Sequence, residues 1–274
     1  MRSIIGTSIV ITGLATGLAA CSTDGGTGVS GTAQPVSVSF STLSSAPVGY
    51  AASASLSPDA APSRNITVTS GTDVLVITKA QLVLSRIELQ RVGAVCADTA
   101  AVGDDSTDEH SCAELSLAPS VIDLPVDSTV LSKLGVSVPA GTYSALEVKV
   151  RAIRAGDHGN GSAAFLAAHP ELAGVSVLVQ GTFNGKAFTY TGAPKAELES
   201  TFNPALAVTT AGINLTVNVD LASWFKASGG ALIDPSTANS GGANASVVAD
   251  NIKRSFKAFR DDNHDGHDDG PNRG

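Results

Sequence analysis

The stretch "VSVLVQGTFNGKAFTYTG", residues 175–192, constrains the fold more than any other part of the chain. Two runs that alternate apolar and polar residues are joined by Asn184-Gly185. Asn-Gly suits a type I′ turn, in which both central residues need positive φ, and that turn matches the natural twist of paired strands. The segment is therefore expected to be a β-hairpin. A hairpin with one apolar face is not stable alone and must bury that face against more sheet.

The same period of two recurs along the chain. "PVSVSFS" (35–41) sets Val36, Val38 and Phe40 on one face. In "NITVTSGTDVLVITKAQLVLSRIELQRV" (65–92), Ile66 and Val68 alternate, Ser70-Gly71 turns the chain, and Val74 and Val76 resume. Leu82 and Leu84 share a face, while Val83, Ile87 and Leu89 imply cover on the other side or a bulge that shifts register. "CAELSL" and "VIDLPV" read as two short strands, and residues 128–134 as a short helical turn. In "VPAGTYSALEVKVRAIRA" (138–155), Leu146, Val148 and Val150 alternate with Glu147, Lys149 and Arg151, a strand with one wet face. Residues 156–174 read as a loop with one helical turn. "AELESTFNPALAV" and "INLTVNVDLASWF" complete about ten strands.

The period changes near the C-terminus. In "SVVADNIKRSFKAF", Val248, Ile252, Phe256 and Phe259 recur at i, i+4, i+8 and i+11, one apolar stripe of a helix. Asn244 or Ser246 could cap it. The expected fold class is all-β: an antiparallel β-sandwich with one C-terminal amphipathic helix. Strand count and spacing leave immunoglobulin-like and transthyretin-like topologies both open.

The front of the chain speaks to location. "MRSIIGTSIVITGLATGLAAC" has one charge, Arg2, and an apolar or small run of the length of a secretory h-region, too short and too diluted for a spanning helix. Leu18-Ala19-Ala20-Cys21 resembles a bacterial lipobox. The resemblance implies that residues 1–20 are a lipoprotein signal peptide and that Cys21 becomes an acylated first residue. Each buried CH₂ is worth ~0.8 kcal/mol, so several acyl chains on one Cys anchor stably. Ser22, rather than Asp, favours the outer membrane over the inner, with the protein on its periplasmic face or at the cell surface. Residues 21–34 then form a lipidated, Gly/Ser/Thr-rich tether. Residues 35–245 form the sandwich, 246–260 the helix and 261–274 an Asp-rich tail.

Charge and cysteines narrow the partners. Signal removal takes away only Arg2, so the net charge of −8 becomes −9. Without a cluster of Lys and Arg there is no phosphate footprint, and nucleic acid is excluded as a partner. The partners expected are the membrane, through Cys21, and a protein or glycan of unspecified identity. Cys96 and Cys112 remain as an even pair in an oxidising compartment, and a disulfide between them is expected. It would close a loop of about 15 residues, worth roughly 3 kcal/mol in the chain-entropy picture. The competing reading is two free thiols as metal ligands.

The tail "FRDDNHDGHDDGPNRG" carries the one metal-like pattern. Against the EF-hand loop, Asp261, Asn263 and Asp265 stand at positions 1, 3 and 5, Gly266 at the turn position 6, His267 at position 7 and Asp269 at position 9. Hard oxygen donors at that spacing suit Ca²⁺. Position 12 is Asn272, where a bidentate Glu belongs, so binding would be weak. The loop looks more like those of extracellular calcium-binding repeats. Two other readings compete: a solvated acidic tail, and a transition metal on His264 and His267. The acidic loop 104–110 fits no metal template, and His158 and His169 read as plain surface histidines.

Several segments, "ITKAQLVLSRIEL", "DLPV", "VPAGTYSALEVKV", "GTFNGKAFTYTG", "SWFKASGGALIDPSTAN" and "NIKRSFKAFRDDNHDGHDDG", together resemble an uncharacterised family of bacterial lipoproteins. It is a domain of unknown function in secreted and surface proteins. The resemblance implies fold and location and transfers no catalytic residue. No G-x-S-x-G elbow, H-E-x-x-H, P-loop or dinucleotide-binding glycine pattern is present. The expected function is a non-catalytic structural or binding module of the cell envelope, calcium-stabilised if the tail binds the ion. A surface domain for glycans or small ligands is the alternative, with Tyr143, Tyr190 or Trp224 flooring an exposed patch, although Trp224, the chain's single tryptophan, reads more readily as a core plug beside the final helix. An unrecognised hydrolase is the third reading.

Overall fold

A computed structural model describes residues 33–42, 65–93, 118–126, 132–157, 161–262 and 266–269, all within one unit of the chain, residues 31–274. Eleven strands among them build two sheets. The smaller holds β11 (Phe256–Arg260), β10 (Ile213–Val219), β1 (Ala33–Ser41) and β5 (Ser132–Pro139), in that order. The larger runs β8 (Lys186–Gly192), β7 (Val177–Phe183), β3 (Asp73–Arg91), β6 (Gly141–Val150), β9 (Ala196–Val208), with β2 (Ile66–Ser70) and β4 (Ser120–Asp123) also paired to β3. Pairing is antiparallel except between β1 and β10, which run parallel. The fold is all-β, two sheets face to face around one core.

Alternation explains which side chains enter that core. The smaller sheet contributes Val36, Val38, Phe40, Val138, Leu215, Val217 and Val219, and the larger Leu146, Val148, Val150, Val177, Val179, Phe188 and Tyr190. Each such side chain, fully buried, is worth about 1.5–3 kcal/mol. The β7–β8 hairpin forms as expected: Asn184 and Gly185 have φ of 51° and 78°, and Phe183 pairs with Lys186. The Asn184 side chain also ties the turn to β3, accepting from Val74 N and donating to Asp73 Oδ1.

The nineteen-residue β3 departs from a single alternation. Its inward residues are Leu75 and Ile77, then Ala80, Leu82 and Leu84, then Ile87 and Leu89. The phase changes where the pairing shifts register, at Ile77/Lys79 against β7 and at Leu84/Arg86 against β6. So Leu75 and Ile77, not Val74 and Val76, carry the inward face there, and Val74 is 38% exposed. On the other face Val83 is buried by a second cluster with Ile153, Phe165, Leu172 and Leu178. Phe165 belongs to α1 (Ser162–Ala168), and Leu172 to the 3₁₀ turn that follows it (Pro170–Leu172).

Two expected elements differ. The helical turn over 128–134 is not found over its described part: Ser132 already belongs to β5, because β1 offers an open edge and Phe40 and Ser39 pair with Ser132 and Lys133. The C-terminal helix over 246–260 is shorter. Helix α2 (Ala245–Arg254) buries Val248 and Ile252, ends at Ser255, and gives way to β11, which pairs with β10. The helical stripe thus breaks between Ile252 and Phe256. The edge of β10 supplies hydrogen bonds along residues 256–260, and the phenylalanines suit a strand. Asn244 stands at the N-cap, but its side chain donates to Thr237 Oγ1 instead of accepting from the helix.

The edge of β8 is covered. In the 3₁₀ segment around Pro235–Ala238, Asn239 lies alongside, accepting from Thr191 N and donating to Thr189 O as a neighbouring strand would. A bare edge is a template for unwanted pairing, and one amide blocks it. Among the described residues no helix is long and apolar enough to cross a membrane.

Candidate functional site

The C-terminal loop hangs from the end of β11. Backbone pairing continues one residue past that strand, Asp261 N donating to Asn214 O at 3.2 Å. That places the Asp261 side chain against the outward face of β10, where its residue is 0% exposed. Its Oδ2 accepts from Thr216 Oγ1 at 2.7 Å and from Gly266 N at 3.0 Å. Gly266 has φ of 78°, a conformation that glycine adopts without a Cβ penalty. The chain then folds back. Asp269 N donates to Arg260 O at 2.8 Å, and Asp262 N donates to Asp269 Oδ2 at 3.0 Å. Arg260 Nε pairs with Asp262 Oδ1 at 2.8 Å outside the loop.

Of the sequence-expected ligands, the structure therefore brings Asp261 and Asp269 into one closed loop with Gly266 at its turn, and His267 is exposed on it. Asn263 and Asp265 lie outside the described residues. One expectation is corrected: a strand, not a helix, leads into the loop. Among the described residues no three His, Cys, Asp or Glu side chains converge as a metal cluster. Cys21, Cys96, Cys112, the acidic loop 104–110 and His158 also lie outside the described residues. His169 is half-buried at the end of α1, its ring 5.2 Å from that of Phe165.

The three aromatics expected to floor a glycan face do not form an exposed patch. Tyr143, Tyr190 and Trp224 are all buried in the core. Tyr190 and Phe188 meet Phe225 edge-on at 5.4 and 6.0 Å, and Tyr143 donates its hydroxyl to Pro139 O. Burial pushes the Tyr190 phenol up to about 12.

The wet face expected on β6 is drier than its sequence suggests. Glu147 is buried, and in the strand register it lies between Glu88 of β3 and Glu199 of β9. Like charges abreast on a sheet repel. Cations in the next row answer them: Arg86 Nε lies 2.9 Å from Glu88 Oε1, and Lys149 Nζ lies 2.6 Å from Glu147 Oε1 and 3.8 Å from Glu197. Burial opposes the charge on Lys149, but the hydrogen bond to Glu147 and the fields of Glu147, Glu197 and Glu88 outweigh it, leaving its pKa raised.

A polar cavity of about 350 Å³ lies where β10, α2 and β11 meet. Asn218 and Asp220 line it from the end of β10, Asn251 and Arg254 from α2, and Lys257 from β11. Its two lining hydroxyls are committed to backbone, Ser223 Oγ to Asp220 O and Ser255 Oγ to Ile252 O. Periodicity gave no hint of it, because its residues come from three elements whose meeting depends on the helix-to-strand switch at Ser255.

No family model matches this chain, and no curated protein does. Among solved structures, MbnP from Methylosinus trichosporium is similar at 12% identity and a TM-score of 0.43, over 84% of this chain and 99% of that one. A likeness of that size carries no inference about activity.

Proposed function

We propose that this protein is a lipid-anchored, non-catalytic binding module of the bacterial cell envelope, and that its C-terminal loop is a weak calcium site that fastens the last strand. Cys21 is the anchor, in the outer membrane, and Cys96 and Cys112 form a disulfide in that oxidising compartment. The observation that supports the calcium reading is the buried Asp261 carboxylate with Gly266 N donating to it. A loop whose position 1 carboxylate is held by the position 6 amide is already closed in the manner that oxygen ligation requires. Asp261, Asn263, Asp265, the His267 carbonyl and Asp269 would hold the ion, which supplies charge neutralisation for a loop dense in Asp. Without a Glu at position 12 the affinity expected is on the order of 10⁻⁴–10⁻³ M, as in extracellular modules.

Thermal melting of the full chain in detergent tests the calcium site. Calcium at tenfold over its dissociation constant should raise the melting temperature by about 3–5 °C. Asp265→Asn should abolish that increment, whatever it does to the baseline. An equal increment in Asp265→Asn, or none up to about 10 mM calcium, would overturn the assignment.

A further inference from the structure

The cavity between β10, α2 and β11 has a charge pattern opposite to that of the protein. The chain carries −8, yet from Ala245 to Arg260 there are four cations and one carboxylate. Lys253 pairs with Asp250, and Arg260 with Asp262. Arg254 and Lys257 have no carboxylate partner among the described residues, and both line the cavity. Arg254 donates only to the neutral Asn251 Oδ1, at 3.2 Å. The opposing carboxylate, Asp220, has neither of them as an ion-pair partner although it lines the same space.

The frame around these charges is rigid. Asn251 Nδ2 donates to Trp224 O at 3.0 Å and to Lys226 O at 2.7 Å. Asp220 N donates to Ser255 O, and Trp224 Nε1 donates to Ser255 Oγ at 2.7 Å. Asn218, 7% exposed, donates to Ser41 Oγ. The volume is at the lower end of small-ligand sites. The two cations in the lining, Arg254 and Lys257, beside the half-buried Phe256, fit a small hydrophilic molecule that presents one oxyanion.

We propose that this cavity binds a small polar ligand through its oxyanion, a carboxylate or a phosphoryl group, held by Arg254 and Lys257 with Asp220 opposing. The anchor and the calcium loop play no part in it. The competing explanation is that the two cations only neutralise the carbonyls at the C-terminus of α2. That explanation requires no saturable ligand.

Trp224 is a built-in reporter: it is the chain's single tryptophan, and its indole N–H bonds a residue of the cavity wall. The full chain is titrated with inorganic phosphate in one arm and glucuronate in another, at constant ionic strength, while tryptophan emission is followed. A saturable change is expected in at least one arm, and the arm that saturates identifies the group. Arg254→Gln with Lys257→Gln should raise the half-saturating concentration roughly tenfold or more, as expected for the loss of charge-assisted bonds. Both side chains are exposed, and an unchanged melting temperature would show that the variant is folded. Asp220→Asn should tighten binding several-fold, a gain that misfolding cannot mimic. The proposal is overturned if neither arm saturates, if sodium chloride at equal ionic strength gives the same change, or if the double variant binds as well as wild type.

Discussion

At Gly181 a backbone carbonyl occupies the place of a side chain. A Cβ built there would lie 1.9 Å from Val76 O, at the register shift between β3 and β7. The obstacle is main chain inside a sheet, so it cannot turn away as a flexible side chain would. Gly181→Ala is expected to lower stability by about 2–4 kcal/mol in chemical denaturation, whereas the same change at Gly229, with open space around it, should cost little. Tyr190 offers a second residue-scale test. Its phenol is 1% exposed and lies over Gly192, and burial holds its pKa at about 12 against an ordinary value of 10. Below pH 10 the phenol is protonated in both folded and unfolded chains, and its contribution is fully present. Between pH 10 and 12 only the unfolded chain ionises, so stability falls as pH rises, by on the order of 2–3 kcal/mol. Tyr190→Phe should flatten that part of the pH–stability curve.

The elements differ in how far the sequence announces them. Asn184-Gly185 was legible because a type I′ turn makes a local demand that few residues meet. β1, β6 and β10 were legible because one face of each is apolar. The helix–strand boundary was not legible, since Val248, Ile252, Phe256 and Phe259 satisfy a helical period while the partner that wins residues 256–260, the edge of β10, lies about forty residues earlier in the chain. The cavity was hidden for the same reason. In the tail the role of Thr216 was not legible, because its hydroxyl reaches Asp261 only once β10 and β11 pair. That contact makes an element-scale prediction. Thr216→Val leaves a buried carboxylate short of a donor, and should destabilise the protein by about 1–3 kcal/mol and loosen β11 in hydrogen exchange. Thr216→Ser should restore most of the loss. Equal effects from Val and Ser would indicate that the methyl group matters and the hydrogen bond does not.

For the whole molecule, two sheets share one core, the outward carboxylates Glu88 and Glu147 are matched by Arg86 and Lys149, and helix α2 closes against Trp224 and the cavity. The proposal that the protein is tethered to a membrane rests on Cys21, and metabolic labelling with radioactive palmitate tests that most directly. Cells producing the full chain should incorporate label into the wild-type protein and none into Cys21→Ser. An unlabelled wild type, or label that persists in Cys21→Ser, would contradict the anchored-module reading.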